Sequence, residues 1–381
     1  MRSEPSPLRD GAHTYEPSLV YTLFGVVTPH VFGSASLGYT DNVLRQDDEA
    51  PGPRRHEAFF RGTAGARLDA ELREHRAELD WQGTVTEYVA SGDLDTLEQR
   101  LHLRLDLEFN DVSVHGDAGW TRSAYPQSIQ LQGLVRLDTY DAGSWVQVDL
   151  NRFGARAGAS FQRQDFLGSR LRFLDGRTLG GELQLYARFT DKLRALVEYG
   201  YQAFRFDLGR RGQLNDFDVH RVSAGVDGSF TPKLSASAKV GYAVQRVDDA
   251  LGRGDRAYAG FVASLAGRWE PVQGTTFGLS YRRDVSVSTQ SNGLVTDAVD
   301  ATAEQRLFDE KVRLSASAGW SRSNVATGKH IAAWRFGAQA SWQVRPWLSL
   351  ALAWDTQRVM SQFPLGDYET NTVFATVGVG F

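Results

Sequence analysis

Cysteine is absent from the 381-residue sequence, which excludes disulfide bonds, cysteine-ligated metals and thiol nucleophiles together. Apolar residues make up 41% of the chain, yet no run of them reaches the length of about 18 residues that a membrane-spanning helix needs. The formal net charge of −4 lacks the basic excess that nucleic-acid binding requires. We therefore expect neither an inner-membrane helical protein nor a nucleic-acid partner. The composition does not exclude membrane-spanning strands, since such strands expose an apolar residue only at every second position.

The usual motifs of enzymes and cofactor sites are missing as well. The eight histidines are scattered without an H-x-x-x-H pair or a histidine-rich tract. The sequence contains no G-x-S-x-G motif for a serine nucleophile, and Gly252-Arg253-Gly254 is typical of a loop. Carboxylate pairs are frequent, but any two strands of a polar wall would supply them. We expect no catalytic residue, no metal site and no cofactor.

Alternating apolar and polar side chains fill most of the chain after residue 29. From Arg100 to Phe109, five apolar residues at odd positions oppose Arg100, Arg104 and other polar or charged residues at even positions. Period two is typical of a strand whose two faces meet different surroundings. Many such segments run for ten to fourteen residues, which exceeds the ordinary sandwich strand of about five or six residues. The length fits a tilted strand that crosses a bilayer.

Short and long connections alternate between these segments. Thr190-Asp191-Lys192 and Arg345-Pro346 are short turns, whereas 122–143, 166–178 and 207–216 are long and polar. Outer-membrane barrels have short periplasmic turns and longer extracellular loops. The predicted fold is an all-β, transmembrane, antiparallel up-and-down β-barrel of about 18 strands, with 16 as the alternative count. The expected domains are a periplasmic N-terminal segment (1–28) and the barrel (29–381).

The strand boundaries follow from these connections. The eighteen predicted segments are 30–45, 57–72, 75–89, 97–109, 112–121, 144–151, 154–165, 179–190, 193–206, 217–230, 233–247, 257–270, 275–287, 295–308, 311–323, 331–344, 347–360 and 369–381.

The polar face of the predicted strands carries charges of both signs together with some aromatic rings. We expect this face to line a wet lumen, because a barrel of this size encloses an aqueous channel. The candidate lumen-lining residues are Arg61, Arg67, Arg76, Arg100, Arg104, Arg156, Arg188, Arg221, Arg282, Arg313, Arg335, Glu78, Glu98, Glu108, Glu182, Glu198, Tyr186 and Tyr258.

Segment 129–139 is difficult to place and is interpreted as part of the long third loop. Its apolar residues allow two arrangements: the loop folds into the pore and narrows it, or it packs over the barrel rim. The constriction-loop candidates are Ile129, Leu131, Leu134 and Arg136.

The last nine residues resemble the closing strand of bacterial outer-membrane barrels. Val373 to Phe381 alternates and ends on an aromatic residue. In such barrels the terminal phenylalanine is read by the barrel assembly machinery. The resemblance therefore implies that Phe381 is an assembly signal and that the barrel lies in the outer membrane, in contact with outer-membrane lipid.

The opening strand, Phe32 to Arg45, resembles that of a family of porin-like outer-membrane β-barrels. In this family an aromatic-Asp-Asp-Asn-hydrophobic-Arg run opens the barrel, and here Thr40 replaces the first acid of Tyr39-Thr40-Asp41-Asn42-Val43. Phe161–Phe166 and Tyr201–Asp207 resemble its recurring aromatic-Arg-Asp strand ends. The likeness covers roughly residues 30 to 381. Family members are typically encoded with exopolysaccharide or capsule clusters, which implies a secreted polysaccharide and a periplasmic polysaccharide-export protein as partners.

The resemblance implies an outer-membrane pore that exports an exopolysaccharide or capsular polysaccharide without catalysing a reaction. Two alternatives share the fold: a general diffusion porin for small sugars or ions, and a structural or adhesive barrel whose lumen is plugged. The residues alone do not choose among them.

Overall fold

The computed structural model of the protein describes residues 27–43, 56–125, 135–168, 171–207, 216–247, 256–288, 291–325, 329–362 and 366–380. No helix in these ranges is long and apolar enough to cross a membrane. Eighteen strands occupy most of them: β1 (Val27–Thr40), β2 (Glu57–Leu72), β3 (His75–Tyr88), β4 (Thr96–Phe109), β5 (Val112–Tyr125), β6 (Val135–Leu150), β7 (Phe153–Phe166), β8 (Gly176–Thr190), β9 (Leu193–Phe206), β10 (Phe217–Thr231), β11 (Leu234–Val247), β12 (Arg256–Trp269), β13 (Thr275–Ser288), β14 (Ser291–Leu307), β15 (Val312–Val325), β16 (His330–Arg345), β17 (Leu348–Ser361) and β18 (Tyr368–Gly380). Two single-turn 3-10 segments, Gly92–Leu94 and Arg172–Leu174, lie in connections.

The sheet closes on itself. Each strand pairs antiparallel with its neighbours in sequence, and β1 also pairs with β18, from Phe32 opposite Gly380 to Thr40 opposite Thr372. Closure gives the first and last strands hydrogen-bonding partners, as a sheet in lipid requires. The predicted 18-stranded antiparallel barrel is confirmed, and the alternative of 16 strands is wrong.

Most strand boundaries agree with the alternation to within a few residues, but two predicted loops are wrong. The third loop was expected at 122–143, whereas β5 continues to Tyr125 and β6 begins at Val135. A long connection was also expected at 288–294, whereas β14 begins at Ser291, three residues after β13 ends. In both places the strands extend beyond the apolar band. At the start of β6 the alternation is inverted, because Val135 and Leu137 are buried on the inner face while Arg136 and Asp138 lie on the outer face.

Several predictions about the chain ends and the third loop fall on residues outside the described ranges. These residues are the segment 1–26, the assembly-signal residue Phe381, and the loop candidates Ile129, Leu131 and Leu134. Arg136, the remaining loop candidate, lies in β6 opposite Ala124 on the outer face, and its guanidinium donates to the carbonyl of Asp95 at 3.2 Å. Arg136 therefore lies in a strand of the barrel, on its outer face, and its predicted place in a pore-narrowing loop is wrong.

The outer face of the barrel is apolar and uncovered. Leu37, Leu103 and Leu352 expose 69%, 47% and 58% of their surface, and they belong to a band of large apolar side chains that runs around the sheet. Water-soluble monomers rarely expose apolar patches larger than a few hundred Å². The band therefore fits lipid. Outward tryptophans lie toward the long loops (Trp120 and Trp320) and near the short turns (Trp269 and Trp342), whereas Trp354 lies at the middle of β17 and Trp347 lies in the short turn between β16 and β17.

Replacing Leu352 with arginine tests which face meets lipid. This side chain lies on β17 between Trp347 and Trp354, so the variant buries a cation in hydrocarbon and should lose about 2–4 kcal/mol of folding free energy. The matched control is Gln339→Arg, on the inner face of the neighbouring strand β16, which should cost less than about 1 kcal/mol. Denaturant titration of folding into lipid vesicles measures both. Equal stability of the two variants would contradict the assignment of faces.

Candidate functional site

The polar face of the sheet is the concave one. Lys239 on β11 contacts Glu198 on β9 at 2.6 Å, and the Arg188 guanidinium on β8 pairs with Asp149 on β6. These partners are two strands apart. Within the strands, side chains two strands apart converge on the inside of a curved sheet and spread apart on the outside. The charged side chains therefore point into the barrel.

The register places every lumen-lining candidate on this inner face. Arg76 lies opposite Asp106, Glu78 opposite Arg104, and Arg335 opposite Gly319. The other candidates that share the face are Arg61, Arg67, Arg100, Arg156, Arg188, Arg221, Arg282, Arg313, Glu98, Glu108, Glu182, Glu198, Tyr186 and Tyr258.

Many of these charges neutralise one another. Arg67 pairs with Asp69 at 2.8 Å and with Glu78 at 3.3 Å, and Arg104 pairs with Asp106 at 2.7 Å. Such half-exposed pairs contribute little to stability, roughly 0–1 kcal/mol each. Their effect is to make the wall polar without giving it a strong field of one sign.

A recess of about 460 Å³ opens in the inner wall between β5 and β10. Glycines line it, because Gly143, Gly158, Gly180 and Gly200 occupy inner-face positions on four strands. The side chains of Asp117 and Ser160 lie over Gly143 and Gly180, whereas at Gly200 the nearest atom to an added Cβ would be the Arg221 Cβ, 4.0 Å away. The open space of the recess therefore lies over Gly200.

Trp145 forms one side of the recess. The Arg156 guanidinium carbon lies 4.4 Å from the centre of its ring, and the His115 ring stacks against it at 5.3 Å. His115 in turn contacts Asp106 through Nδ1 at 2.6 Å. Trp145 and His115 are not among the residues predicted from the sequence to line the lumen. The signal was present, since Val146, Val148 and Leu150 mark the lipid face of this strand and leave Trp145 on the other.

Two charges at the recess are left without an acidic or basic partner. Among the described residues, Arg156 has its stacking contact but no ion pair, and Glu182 has neither a hydrogen bond nor an ion pair. Glu182 lies opposite Gly158, two residues along β7 from Arg156. The unpaired guanidinium of Arg156 and the unpaired carboxylate of Glu182 therefore both lie next to Gly158 on the inner face. No group of three or more His, Asp or Glu in the described part of the chain could hold a metal ion.

Near the long-loop ends, β13 leaves its place beside β12. The β12–β13 ladder runs only from Trp269 opposite Phe277 to Ala263 opposite Arg283, although both strands continue. By alternation from Arg283, Val285 belongs to the outer face. Instead it packs with Ala243 and Val262, which face the barrel interior.

The end of the β13–β14 hairpin thus lies against the inner surface of the barrel wall, over β11 and β12. A Cβ at Gly260 would lie 3.2 Å from a methyl group of Val285, so the glycine permits the close approach. Asp284 then reaches past two strands to pair with the Arg221 guanidinium on β10. Arg221 also borders the recess. Among the described residues, Asp284 and Val285 of this hairpin narrow the interior, at positions that fall in the predicted strand 275–287 and not in a predicted loop.

Cross-linking tests the overlap without background, because the native chain has no cysteine. The variant Gly260→Cys with Val285→Cys should form a disulfide, since a Cβ at position 260 would lie 3.2 Å from a methyl group of Val285 and a disulfide needs a Cβ–Cβ distance of about 3.5–4.5 Å. The control is Phe261→Cys with Val285→Cys, the pair that an uninterrupted ladder would bring together. Mobility in denaturing gels before and after reduction measures both. Efficient oxidation of the control pair alone would show that β13 stays in the plane of the wall.

The chain belongs to a family of porins. The family model described as "Putative beta-barrel porin 2" matches residues 26–381. A closed barrel with a lipid-facing band and membership of this family place the protein in the outer membrane. No curated protein matches the chain.

Solved porins have a similar fold. OpdQ of Pseudomonas aeruginosa is 11% identical with a TM-score of 0.50, covering 93% of this chain and 98% of its own. A BenF-like porin from Pseudomonas fluorescens Pf-5 is 8% identical with a TM-score of 0.50, covering 93% of this chain and 99% of its own. Pseudomonas aeruginosa OpdK, solved with vanillate, is 10% identical with a TM-score of 0.50, covering 93% of this chain and 99% of its own. At these identities the likeness concerns the fold alone.

Proposed function

We propose that the protein is a passive outer-membrane porin for small polar solutes that carry charge, and that it catalyses no reaction. The observation that carries this proposal is the recess in the inner wall, with a free cation and a free anion beside an aromatic ring. Its volume of about 460 Å³ suits a small molecule. The glycine-lined floor gives such a solute room beside the paired charges of the wall.

The recess supports binding that is weak enough to allow passage. Arg156 offers bidentate donors to a carboxylate, Glu182 accepts from a protonated amine, and Trp145 presents an aromatic face. Both charges are solvent-accessible, so each contact should contribute on the order of 1 kcal/mol or less. OpdK, a barrel of similar fold, was solved with vanillate, a small aromatic carboxylate.

This proposal replaces polysaccharide export as the preferred function. The family description and the similar structures name porins, which favours the diffusion alternative over a polymer-export pore. No feature of the described inner wall singles out a long sugar chain. Recognition of the terminal Phe381 by the assembly machinery stays a prediction.

Single-channel recordings in planar bilayers test the proposed function. We expect the purified barrel to conduct ions, and the two recess charges to set its selectivity in opposite directions. Arg156→Gln should lower the ratio of anion to cation permeability, because it removes a free cation, and Glu182→Gln should raise it. Each change should be about twofold, as expected for one exposed charge. The reversal potential in a salt gradient measures the ratio.

The opposite signs serve as the control, since general damage to the barrel would move both variants the same way. A barrel that inserts but never conducts would exclude a pore and favour the plugged structural barrel. Unchanged selectivity in both variants would exclude the recess as part of the solute path.

A further inference from the structure

Val285, near the end of β13, suits two different surroundings. In the structure it is buried against Ala243 and Val262 on the inside of the wall. If the β12–β13 ladder continued in register past Arg283, Val285 would lie opposite Phe261, which is 52% exposed on the apolar outer band. Either place keeps the valine side chain out of water. The end of β13 therefore fits both behind the wall and within it.

Asp284 has two arginines available to it as well. One is Arg221 on β10, with which it forms an ion pair. The other is Arg282, two residues earlier on the same face of β13, which is exposed and has no hydrogen bond or ion pair to the described residues. A pair of Arg282 with Asp284 is expected when β13 lies in the wall. On the inner faces of β2 and β4, an arginine and an aspartate with this spacing form ion pairs of 2.8 and 2.7 Å, namely Arg67–Asp69 and Arg104–Asp106.

The backbone of β12 favours the position within the wall. β12 pairs with β11 as far as Arg256 opposite Val247, but with β13 only as far as Ala263 opposite Arg283. No other described strand pairs with that edge of β12. Unpaired edge groups are costly where water is scarce. With β13 behind the wall, this edge and Arg282 therefore lack partners, and with β13 in the wall both gain them.

Arg221 connects the hairpin to the recess. Its Cβ is the atom nearest to a Cβ placed on Gly200, at 4.0 Å, so its stem borders the open space over that glycine. Its guanidinium contacts Asp284, and both side chains are 29% exposed. Ion pairs of such accessible groups are weak. A carboxylate in the recess would offer the guanidinium a bidentate acceptor in place of Asp284.

We propose that the β13–β14 hairpin is a gate that a carboxylate solute opens. This role rests on the proposed function, because it makes solute binding at the recess the signal for opening. While Arg221 holds Asp284, the end of the hairpin lies inside the barrel and narrows the channel. When the solute carboxylate binds Arg221, Asp284 pairs with Arg282 and β13 completes its ladder with β12. The channel then widens.

Two engineered disulfides report the two positions of the hairpin in reconstituted vesicles. Gly260→Cys with Val285→Cys bonds when the hairpin lies inside, and Phe261→Cys with Val285→Cys bonds when the ladder is complete. We expect benzoate to slow the first oxidation and to speed the second, each about threefold. Benzamide, its uncharged analogue, should change neither rate at the same ionic strength. Rates that do not respond to benzoate, or that respond equally to benzamide, would overturn the proposal.

Two arginine variants serve as matched controls for charge. Arg221→Gln and Arg282→Gln each remove one cation from the inner face, but they should shift the hairpin in opposite directions. Arg221→Gln releases Asp284, so it should favour the disulfide of the complete ladder without benzoate and abolish the benzoate response. Arg282→Gln removes the partner of Asp284 within the wall, so it should favour the disulfide of the inward position. Shifts in the same direction would show that Asp284 does not exchange partners.

Single-channel recordings of the two oxidised barrels separate the gate from the proposed function. We expect the barrel locked through positions 260 and 285 to conduct less than the barrel locked through 261 and 285. Reduction of both disulfides should bring the two conductances together. Equal conductance of the two locked barrels would overturn the gate and leave the porin intact. No conductance in any form would overturn the porin function and the gate with it.

Discussion

A bilayer offers no water to the protein backbone, and the rest of the structure depends on this constraint. An unpaired N–H or C=O group in hydrocarbon costs several kcal/mol. The pairing of β1 with β18 removes the two edges that an open sheet of this length would expose. Once the sheet is closed, the pleat of each strand sends alternate side chains to lipid and to the enclosed space. The lipid band and the charged inner wall both follow from that division.

The exceptions to this regularity occur where the constraint weakens. The β12–β13 ladder stops at Ala263 and Arg283, and the strands separate toward the long-loop ends. Water and the polar interior can satisfy backbone groups there. Freed from the plane of the wall, the β13–β14 hairpin packs Val285 on the inner face and pairs Asp284 with Arg221. The recess is lined by glycines of β6 to β9, which add no apolar side chain to the polar inner wall.

The sequence predicts the fold well, because lipid and water impose opposite demands on neighbouring residues. Strands such as β4 and β17 therefore show their faces directly in the order of their residues. The same reasoning fails beyond the apolar band, where the outer face of β6 is polar and Val135 and Leu137 point inward, so the upper part of β6 was assigned to a loop. It also fails for contacts between distant strands. Alternation places Arg221 and Asp284 on the same face but does not predict that the end of β13 packs over β12. Nor does it predict that four glycines on different strands line one recess.

Odd and even positions of one strand meet different solvents, and the whole architecture rests on this alternation. Single cysteines introduced at positions 100 to 105 of β4 test it directly, since the chain contains no other thiol. A fluorophore attached at Leu101, Leu103 or Leu105 should be quenched by a lipid-borne quencher, and one at Arg100, His102 or Arg104 by a water-soluble quencher. We expect strict alternation of the two quenching patterns with period two in a reconstituted bilayer. Quenching from one phase alone, or with a period near 3.6 residues, would contradict it.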